Sequence, residues 1–239
     1  MNVPQVTSGL HIAPADPPMR FTIGSRPIET TRTLKLPPIF VDRCRKAFHS
    51  VRFEGETRVL GVTSARPGEG KTSIAAGLSL AIAADTGEPT ILVECDLERP
   101  SFAHMFAIDG SPGLAEWVEG GLPLRAALMS PTDNAYVVPG GGTGDDSTRV
   151  VYQMGQSEFV DGLAAQFKNV ILDLPPMLSA SSGQLAAKLA ERILLVARYG
   201  VTTTPDLEQA VELAGPGRIA GVVLNAYAPR LPTWLRRLG

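Results

Sequence analysis

Six short apolar runs recur along the chain and predict the strands of a parallel sheet. They cover residues 59–63, 90–93, 135–138, 169–172, 192–196 and 219–224. Within each run apolar side chains follow one another instead of alternating with polar ones, as expected of strands that helices cover on both faces. Helical spacing fills the intervals between them. The pattern therefore predicts an α/β fold with a doubly wound, mostly parallel sheet.

Two helices can be placed from the same pattern. In residues 40–53, Val41, Cys44, Phe48 and Val51 recur three or four positions apart, which predicts an amphipathic helix. A second helix should run from Lys71 to about residue 84, directly after the first strand. Residues 1–38 contain seven prolines, which interrupt any regular period and predict a disordered N-terminal tail, with a docking segment as the alternative.

Composition narrows the class of protein. The formal net charge is −2 and 44% of residues are hydrophobic, so one core is expected, and a general nucleic-acid partner is not. Cys44 and Cys95 stand far apart and form no metal-type cluster, which favours a reduced, cytoplasmic setting. No run approaches the roughly 18 apolar residues of a membrane span, and no secretory leader is recognisable.

The strongest chemical signal lies between the first strand and the second helix. It consists of Pro67, Gly68, Glu69, Gly70, Lys71, Thr72 and Ser73. In this context backbone N–H groups at a helix N-terminus cradle phosphates, Lys71 reaches the β- and γ-phosphates, and the Thr72 hydroxyl ligates Mg²⁺. The first glycine of the usual pattern is replaced by Ala65. The segment predicts a phosphate loop (P-loop) that binds ATP with Mg²⁺.

Three carboxylates follow the ends of predicted strands. Glu94 and Asp96 come after the second strand, two positions apart and so on one side of it, and Asp173 follows the run 169–172. Ligands of parallel sheets bind at the carboxyl ends of strands, where such groups can hold Mg²⁺. Taken singly, surface carboxylates or a turn aspartate would explain them as well. With the phosphate loop, they favour a metal–nucleotide site.

The three motifs together resemble the bacterial tyrosine-kinase-like proteins of capsule and exopolysaccharide synthesis, a branch of the MinD- and ParA-like P-loop ATPases. The matches are residues 63–72, 94–100 and 171–176, and the resemblance covers about residues 40–227. It implies a P-loop domain over residues 39–228, followed by a short basic amphipathic tail at 229–239.

The resemblance also implies a role for each site residue. Lys71 would bind phosphates, Thr72 and Asp96 would serve Mg²⁺, and Asp173 would hold it through water. Glu94 stands in the place of an aspartate that is thought to help activate the attacking hydroxyl, which makes Lys71, Glu94 and Asp96 the catalytic candidates. Asn225 matches a position near the adenine.

Several positions depart from the family pattern. Glu94 replaces an aspartate, Glu98 an arginine, Leu174 a threonine, and Ser182 stands where an aspartate is common. A family helix motif used in homo-oligomer assembly is kept only in part, at Asp42 and Arg45 but not at Phe48, and a solvated helix face explains the two charges equally well. The four tyrosines include only Tyr227 near the end, where the family carries a cluster.

Three functions remain open. The first is an ATP-dependent, tyrosine-kinase-like regulator of exopolysaccharide synthesis, acting at the inner face of the membrane beside a separate membrane chain, the polysaccharide co-polymerase or chain-length regulator. The second is an ATP-dependent switch without kinase activity, favoured by the departures. The third is a positioning ATPase of the partitioning type, in which Arg66 stands where a lysine reaches across a dimer.

Two further segments have weaker predictions. The glycine-rich residues 139–146 predict a mobile linker. In the tail at 229–239, Trp234, Leu235 and Leu238 could meet a membrane surface beside the arginines, although a packed or frayed end explains them as well.

Overall fold

The computed structural model describes residues 13–14, 20–21, 36–52, 57–120, 124–129, 132, 134–142 and 146–226. The strands are β1 (Ala13–Pro14), β2 (Arg20–Phe21), β3 (Val59–Ser64), β4 (Thr90–Glu94), β5 (Arg125–Met129), β6 (Ala135–Val138), β7 (Asn169–Asp173), β8 (Arg192–Arg198) and β9 (Ile219–Asn225). The helices are α1 (Pro38–Arg52), α2 (Lys71–Thr86), α3 (Phe102–Phe106), α4 (Leu114–Gly120), α5 (Ser147–Gln156), α6 (Phe159–Gln166), α7 (Gly183–Ala187) and α8 (Thr204–Ala214).

Six strands form the parallel sheet in the order β6-β4-β7-β3-β8-β9. These are the six predicted runs, each matched or extended by one or two residues, so the predicted fold class is confirmed. The strands β3, β4 and β7 are buried along their whole length because helices cover both faces. Their shared carboxyl edge is where the predicted site residues fall.

The sheet continues beyond β6 with a strand that was not predicted. β5 pairs antiparallel with β6, and the dipeptides β1 and β2 pair parallel with β5. The sequence of β5, with two alanines among five residues, carries little strand propensity, which explains why the pattern missed it. The other residues of the predicted N-terminal tail up to 35 lie outside the described part of the chain.

The helix α2 follows the phosphate loop and lies in the centre of the domain. Most of its side chains from Lys71 to Ala83 are buried. The first helix packs closely upon it because Gly77 has no side chain: a Cβ there would stand 2.6 Å from Cys44 Sγ and 2.8 Å from Phe40 Cε1. The predicted helix at 40–53 is thus confirmed as α1, which begins at Pro38, at the end of the predicted tail.

The glycine-rich segment after β6 differs from the mobile linker that was predicted. The carbonyls of Pro139 and Gly140 accept backbone hydrogen bonds from Leu114 and Ala115 of α4, at 3.0 and 2.9 Å. The backbone of Gly113 approaches so closely that a Cβ there would collide with Pro139 and Gly141. Residues 139–142 are therefore packed against α4, while 143–145 lie outside the described residues.

Candidate functional site

The carboxyl ends of three neighbouring strands bring the predicted site residues together. In the sheet β4 lies beside β7, and β7 beside β3, so the ends of all three meet at one edge. Glu94 ends β4 opposite Asp173 of β7, and the loop that leaves β3 runs into the N-terminus of α2. The expected convergence of phosphate loop and acidic residues is thus present in the structure.

The phosphate loop has a conformation that its glycines require. Gly68 and Gly70 have φ angles of 79° and 96°, in the left-handed region where side chains are disfavoured. A Cβ on Gly70 would also collide with the Asn225 amide. No side chain caps the N-terminus of α2, so its amides are available to an anion. Thr72 and Ser73 stand in the first turn, half-buried, while Pro67 is exposed.

Lys71 lies between two of the predicted acidic residues. Its Nζ is 2.8 Å from Asp96 Oδ2 and 3.5 Å from Asp173 Oδ1, and all three side chains are buried. Three carboxylate oxygens there have no hydrogen-bond donor: Asp96 Oδ1 and both oxygens of Asp173. Buried acceptors without donors are costly, and hard oxygen ligands of this kind fit Mg²⁺. The residues present therefore suit a magnesium–phosphate group.

The charges in this cluster shift one another's ionisation. Burial raises the pKa of Asp173 to about 6, against the opposing effect of the Lys71 ammonium. Burial alone would lower the pKa of Lys71, but the carboxylates of Asp173 and Asp96 outweigh it and raise that pKa. Lys71 is thus cationic at neutral pH, and Asp173 can change its charge not far below neutrality.

We expect Mg²⁺-dependent nucleotide binding to weaken as the pH falls through about 6. Below its folded pKa Asp173 is protonated, and metal binding must then release that proton. The apparent Mg²⁺ affinity should fall by up to about tenfold per pH unit below that point. Fluorescence titration with a labelled ATP analogue at varied Mg²⁺ measures it.

Asp173→Asn is the matched variant for this measurement, because it keeps the shape of the side chain and cannot titrate. Its Mg²⁺ affinity should be lower and should change less with pH over the same range, with only the titration of the nucleotide's terminal phosphate left. Because the folded pKa of Asp173 exceeds the unfolded value of 3.8, ionisation of this group costs stability as pH rises between them. A wild-type Mg²⁺ affinity that stays constant across pH 6 would contradict the assignment.

The phosphate loop is fastened by side chains from the last two strands and the turn between β8 and α8. Arg198 Nη1 donates to Gly68 O at 2.9 Å, and Asn225 Nδ2 donates to Glu69 O at 2.9 Å. The Glu69 carboxylate is buried and accepts from Arg66 N at 2.9 Å and from the Thr202 hydroxyl. Glu69 and Asn225, predicted to bind nucleotide, thus shape the loop in this structure.

Arg66 forms a bidentate ion pair within its own chain. Its Nε and Nη2 each lie 2.9 Å from an oxygen of Asp206 in the first turn of α8. The sequence did not reveal Arg198, Thr202 or Asp206 as residues near the site. No local motif connects them to the loop, since the contact arises only when β8 pairs with β3.

Backbone amides donate hydrogen bonds to the Glu94 carboxylate. It accepts from the amides of Ser101, Phe102 and Gly140 and from the Ser101 hydroxyl. Burial raises the pKa of Glu94, and these hydrogen bonds oppose that rise. These donors give Glu94 a structural role beside the predicted catalytic one.

Two of the departures from the family pattern contact each other. Glu98 Oε1 accepts from Ser181 Oγ at 2.8 Å, from Ser182 Oγ at 3.2 Å and from Ser182 N at 3.3 Å. Where the family resemblance implies an arginine at position 98 and an aspartate at position 182, this chain places a carboxylate and a hydroxyl. The two changes are complementary, because the acceptor has moved from one side of the contact to the other.

We expect the double variant Glu98→Arg/Ser182→Asp to lose less free energy of unfolding than the sum of the losses in the two single variants. Ser182→Asp alone brings two carboxylates together, and Glu98→Arg alone removes the acceptor. A double-mutant cycle by urea unfolding should give a coupling free energy of about 1 kcal/mol in favour of the pair.

Glu98→Arg combined with Ser157→Asp is the control for that cycle. The hydroxyl of Ser157 bonds to Met154 O, away from Glu98. This combination should be additive. Additivity in the Ser182 cycle would show that the two departures are independent.

The comparisons with known proteins agree with this geometry. No family model matches the chain. Among solved structures, the kinase domain of Escherichia coli tyrosine kinase ETK has a TM-score of 0.72 at 22% identity, over 90% of this chain and 91% of that one. The VpsO kinase domain gives 0.67 at 28% identity, over 80% and 97%. MinD from Pyrococcus horikoshii, solved with Mg-ADP, gives 0.60 at 19% identity, over 76% of each.

Curated relatives point the same way. The putative tyrosine-protein kinase AmsA of Erwinia amylovora is 25% identical over 76% of this chain and 25% of its own length. The tyrosine-protein kinase etk of Escherichia coli K12 is 26% identical over 79% and 26%. The succinoglycan biosynthesis transport protein ExoP of Rhizobium meliloti is 27% identical over 71% and 22%. The chain spans about a quarter of the length of these relatives.

The fold is that of the MinD-like P-loop proteins. The relatives of this chain include proteins named as bacterial tyrosine-protein kinases, and its structural neighbours include the kinase domains of such proteins. The resemblance found in the three motifs is thereby confirmed.

Proposed function

We propose that this chain binds ATP with Mg²⁺ and uses it, by phosphoryl transfer or hydrolysis, to regulate exopolysaccharide or capsule synthesis beside a separate membrane chain. One observation carries the nucleotide part. Lys71, at the start of a helix whose N-terminus no side chain caps, is buried between Asp96 and Asp173, whose other oxygens have no hydrogen bond.

Each residue has a distinct task in this proposal. The α2 amides and Lys71 bind the phosphates, Thr72 and Asp96 contact the metal, and Asp173 orients its water shell. Bound Mg²⁺ would neutralise charge that develops on the transferred phosphoryl group. Lys71 then exchanges carboxylate partners for phosphate oxygens, so it enters the reaction already desolvated and in place.

A cavity beside the phosphate loop suits the adenine. It has a volume of about 250 Å³ and lies between α1, the first turn of α2 and the end of β9. Its lining is mainly apolar and includes Ile39, Phe40, Ala47, Ile74 and Asn225. Asn225 lines this cavity and also donates to the backbone of the phosphate loop, so the cavity adjoins the proposed phosphate site.

The switch remains the second candidate, and the enclosed carboxylate of Glu94 favours it. The positioning ATPase is disfavoured because Arg66 is paired with Asp206 of its own chain, where a residue acting across a dimer would need to extend outward.

The membrane partner is proposed from the relatives, of which one is named a succinoglycan biosynthesis transport protein. Among the described residues, no helix has both the length and the apolar character to cross a bilayer. We propose a location at the inner face of the membrane through that partner.

We expect Lys71→Met to abolish nucleotide-dependent activity, because it removes the only cation placed between the two carboxylates in the described site. Incubation with γ-labelled ATP and Mg²⁺ follows both hydrolysis and covalent label, and binding is measured in parallel. Binding should weaken at least about a hundredfold. Lys188→Met, at an exposed lysine at the end of α7, is the matched control and should behave as wild type.

The same experiment separates kinase from switch. Covalent label that Lys71→Met abolishes would establish a kinase, and Tyr227→Phe tests one acceptor. Binding or hydrolysis without label would leave the switch. Nucleotide binding unaffected by Lys71→Met would overturn the proposed site.

Ala47→Trp should weaken the binding of nucleotides that carry a base without affecting the binding of the phosphates alone. The larger side chain fills the cavity, so ATP should bind at least about tenfold more weakly, while inorganic triphosphate binding is unchanged. Ser50→Trp, on the exposed side of the same helix, is the control. Equal losses for ATP and triphosphate would place the base elsewhere.

A further inference from the structure

Glu94 stands where the related kinases have an acidic residue associated with the attacking hydroxyl. It is the last residue of β4 and is 1% exposed. A general base needs an oxygen that points at the reacting group and is free to take its proton. The contacts of each Glu94 oxygen therefore decide whether it can play that part.

One oxygen is bound by the start of α3. Oε1 accepts from the amides of Ser101 and Phe102, the latter at 2.8 Å, and from Ser101 Oγ at 3.3 Å. These contacts close the loop that runs from Glu94 to Ser101. Asp96, which contacts Lys71, lies inside that loop.

The other oxygen is bound by the packed glycine segment. Oε2 accepts from Gly140 N at 2.8 Å. A Cβ on Gly140 would stand 2.9 Å from Leu97 Cδ2 and 3.3 Å from Glu94 Oε2, so this approach leaves little room for a side chain. A second carboxylate, Glu116 of α4, accepts from Gly142 N at 3.0 Å and holds the far end of the same segment.

The contrast with the neighbouring acids is sharp. Asp96 Oδ1 and Asp173 Oδ2 are buried without a hydrogen bond, and Asp173 Oδ1 has only the 3.5 Å ion pair with Lys71, as would suit ligands of a metal or of its water. Both oxygens of Glu94 have backbone donors, and displacing them would leave buried amides unpaired. Within one site, two carboxylates are thus available for chemistry and one is not.

We propose that Glu94 is a positioning residue that fastens the loop bearing Asp96 and the glycine segment at 139–142 to the end of β4, and that it does not take a proton from the attacking group. The part of this inference that concerns Mg²⁺ rests on the proposed ATP site. Glu94 acts through Asp96, because the loop it closes sets where the Asp96 carboxylate lies.

Glu94→Gln tests the proposal in the full chain. The amide keeps the size of the side chain, but it can offer only one acceptor oxygen, so an N–H group of the glutamine would face Gly140 N. Amide hydrogen exchange at Gly140, measured by NMR without nucleotide, should accelerate at least about tenfold, and the thermal midpoint should fall by about 5 °C. Exchange at Leu174, whose amide bonds to Val62 O in the core, should accelerate less than at Gly140 and no more than the fall in global stability accounts for.

The kinetics of Glu94→Gln should change in the Mg²⁺ requirement more than in kcat, whereas loss of a general base would mainly lower kcat. Half-saturation should require several times more Mg²⁺, while kcat at saturating Mg²⁺ stays within about tenfold of wild type, against the 10²–10⁴-fold typical of a lost base. Asp96→Asn is the matched control: it should weaken Mg²⁺ binding and leave Gly140 exchange unchanged.

Other results would overturn the proposal. They are unchanged exchange and thermal midpoint in Glu94→Gln, or a loss of kcat beyond a hundredfold with unchanged Mg²⁺ dependence. If wild type itself shows no ATP binding that Lys71→Met weakens, the proposed function fails, and the exchange and thermal measurements still decide the role of Glu94.

Discussion

A buried lysine between two buried carboxylates is the interaction on which the rest of the structure depends. Lys71, Asp96 and Asp173 together carry an excess of negative charge, and burial makes each ion costly unless the others are close. They can be close only if β3, β4 and β7 are parallel neighbours that end at one edge, with α2 beginning there. The arrangement of the sheet is thus the condition for the site, and the unmatched negative charge is what a divalent cation would neutralise.

The sequence predicted the parts of this architecture that depend on local pattern. The six parallel strands and the phosphate loop were recognisable because apolar runs and glycine spacing record burial and backbone conformation directly. β5 was missed because its alanines carry little information about strands, and it forms through its pairing with β6. The partners of Glu94 were also hidden. Gly140, 46 positions away, reaches it only through the pairing of β4 with β6.

The departures from the family pattern are explained by contacts rather than by each residue alone. Glu98 and Ser182, two of these departures, are hydrogen-bonded to each other. Leu174 fits beside β3 because Gly61 has no side chain, and a Cβ there would stand 2.5 Å from Leu174 Cδ1. Glu94, longer by one methylene than the usual aspartate, spans from β4 to the glycine segment. A substitution that looks damaging in the sequence can therefore be part of a local rearrangement.

The parallel order of the strands has a consequence for how the protein acquires its site. Its components lie in four segments of the chain, around positions 70, 95, 173 and 225, which are separated by long crossover connections. Such non-local pairing forms slowly, because loop-closure entropy must be overcome before contacts are gained. No short fragment can carry the assembled site, and the unfolded chain has no equivalent of it. A nucleotide that binds only the native state would shift the folding equilibrium by mass action, so the supply of that nucleotide would also govern how much of the protein persists in folded form.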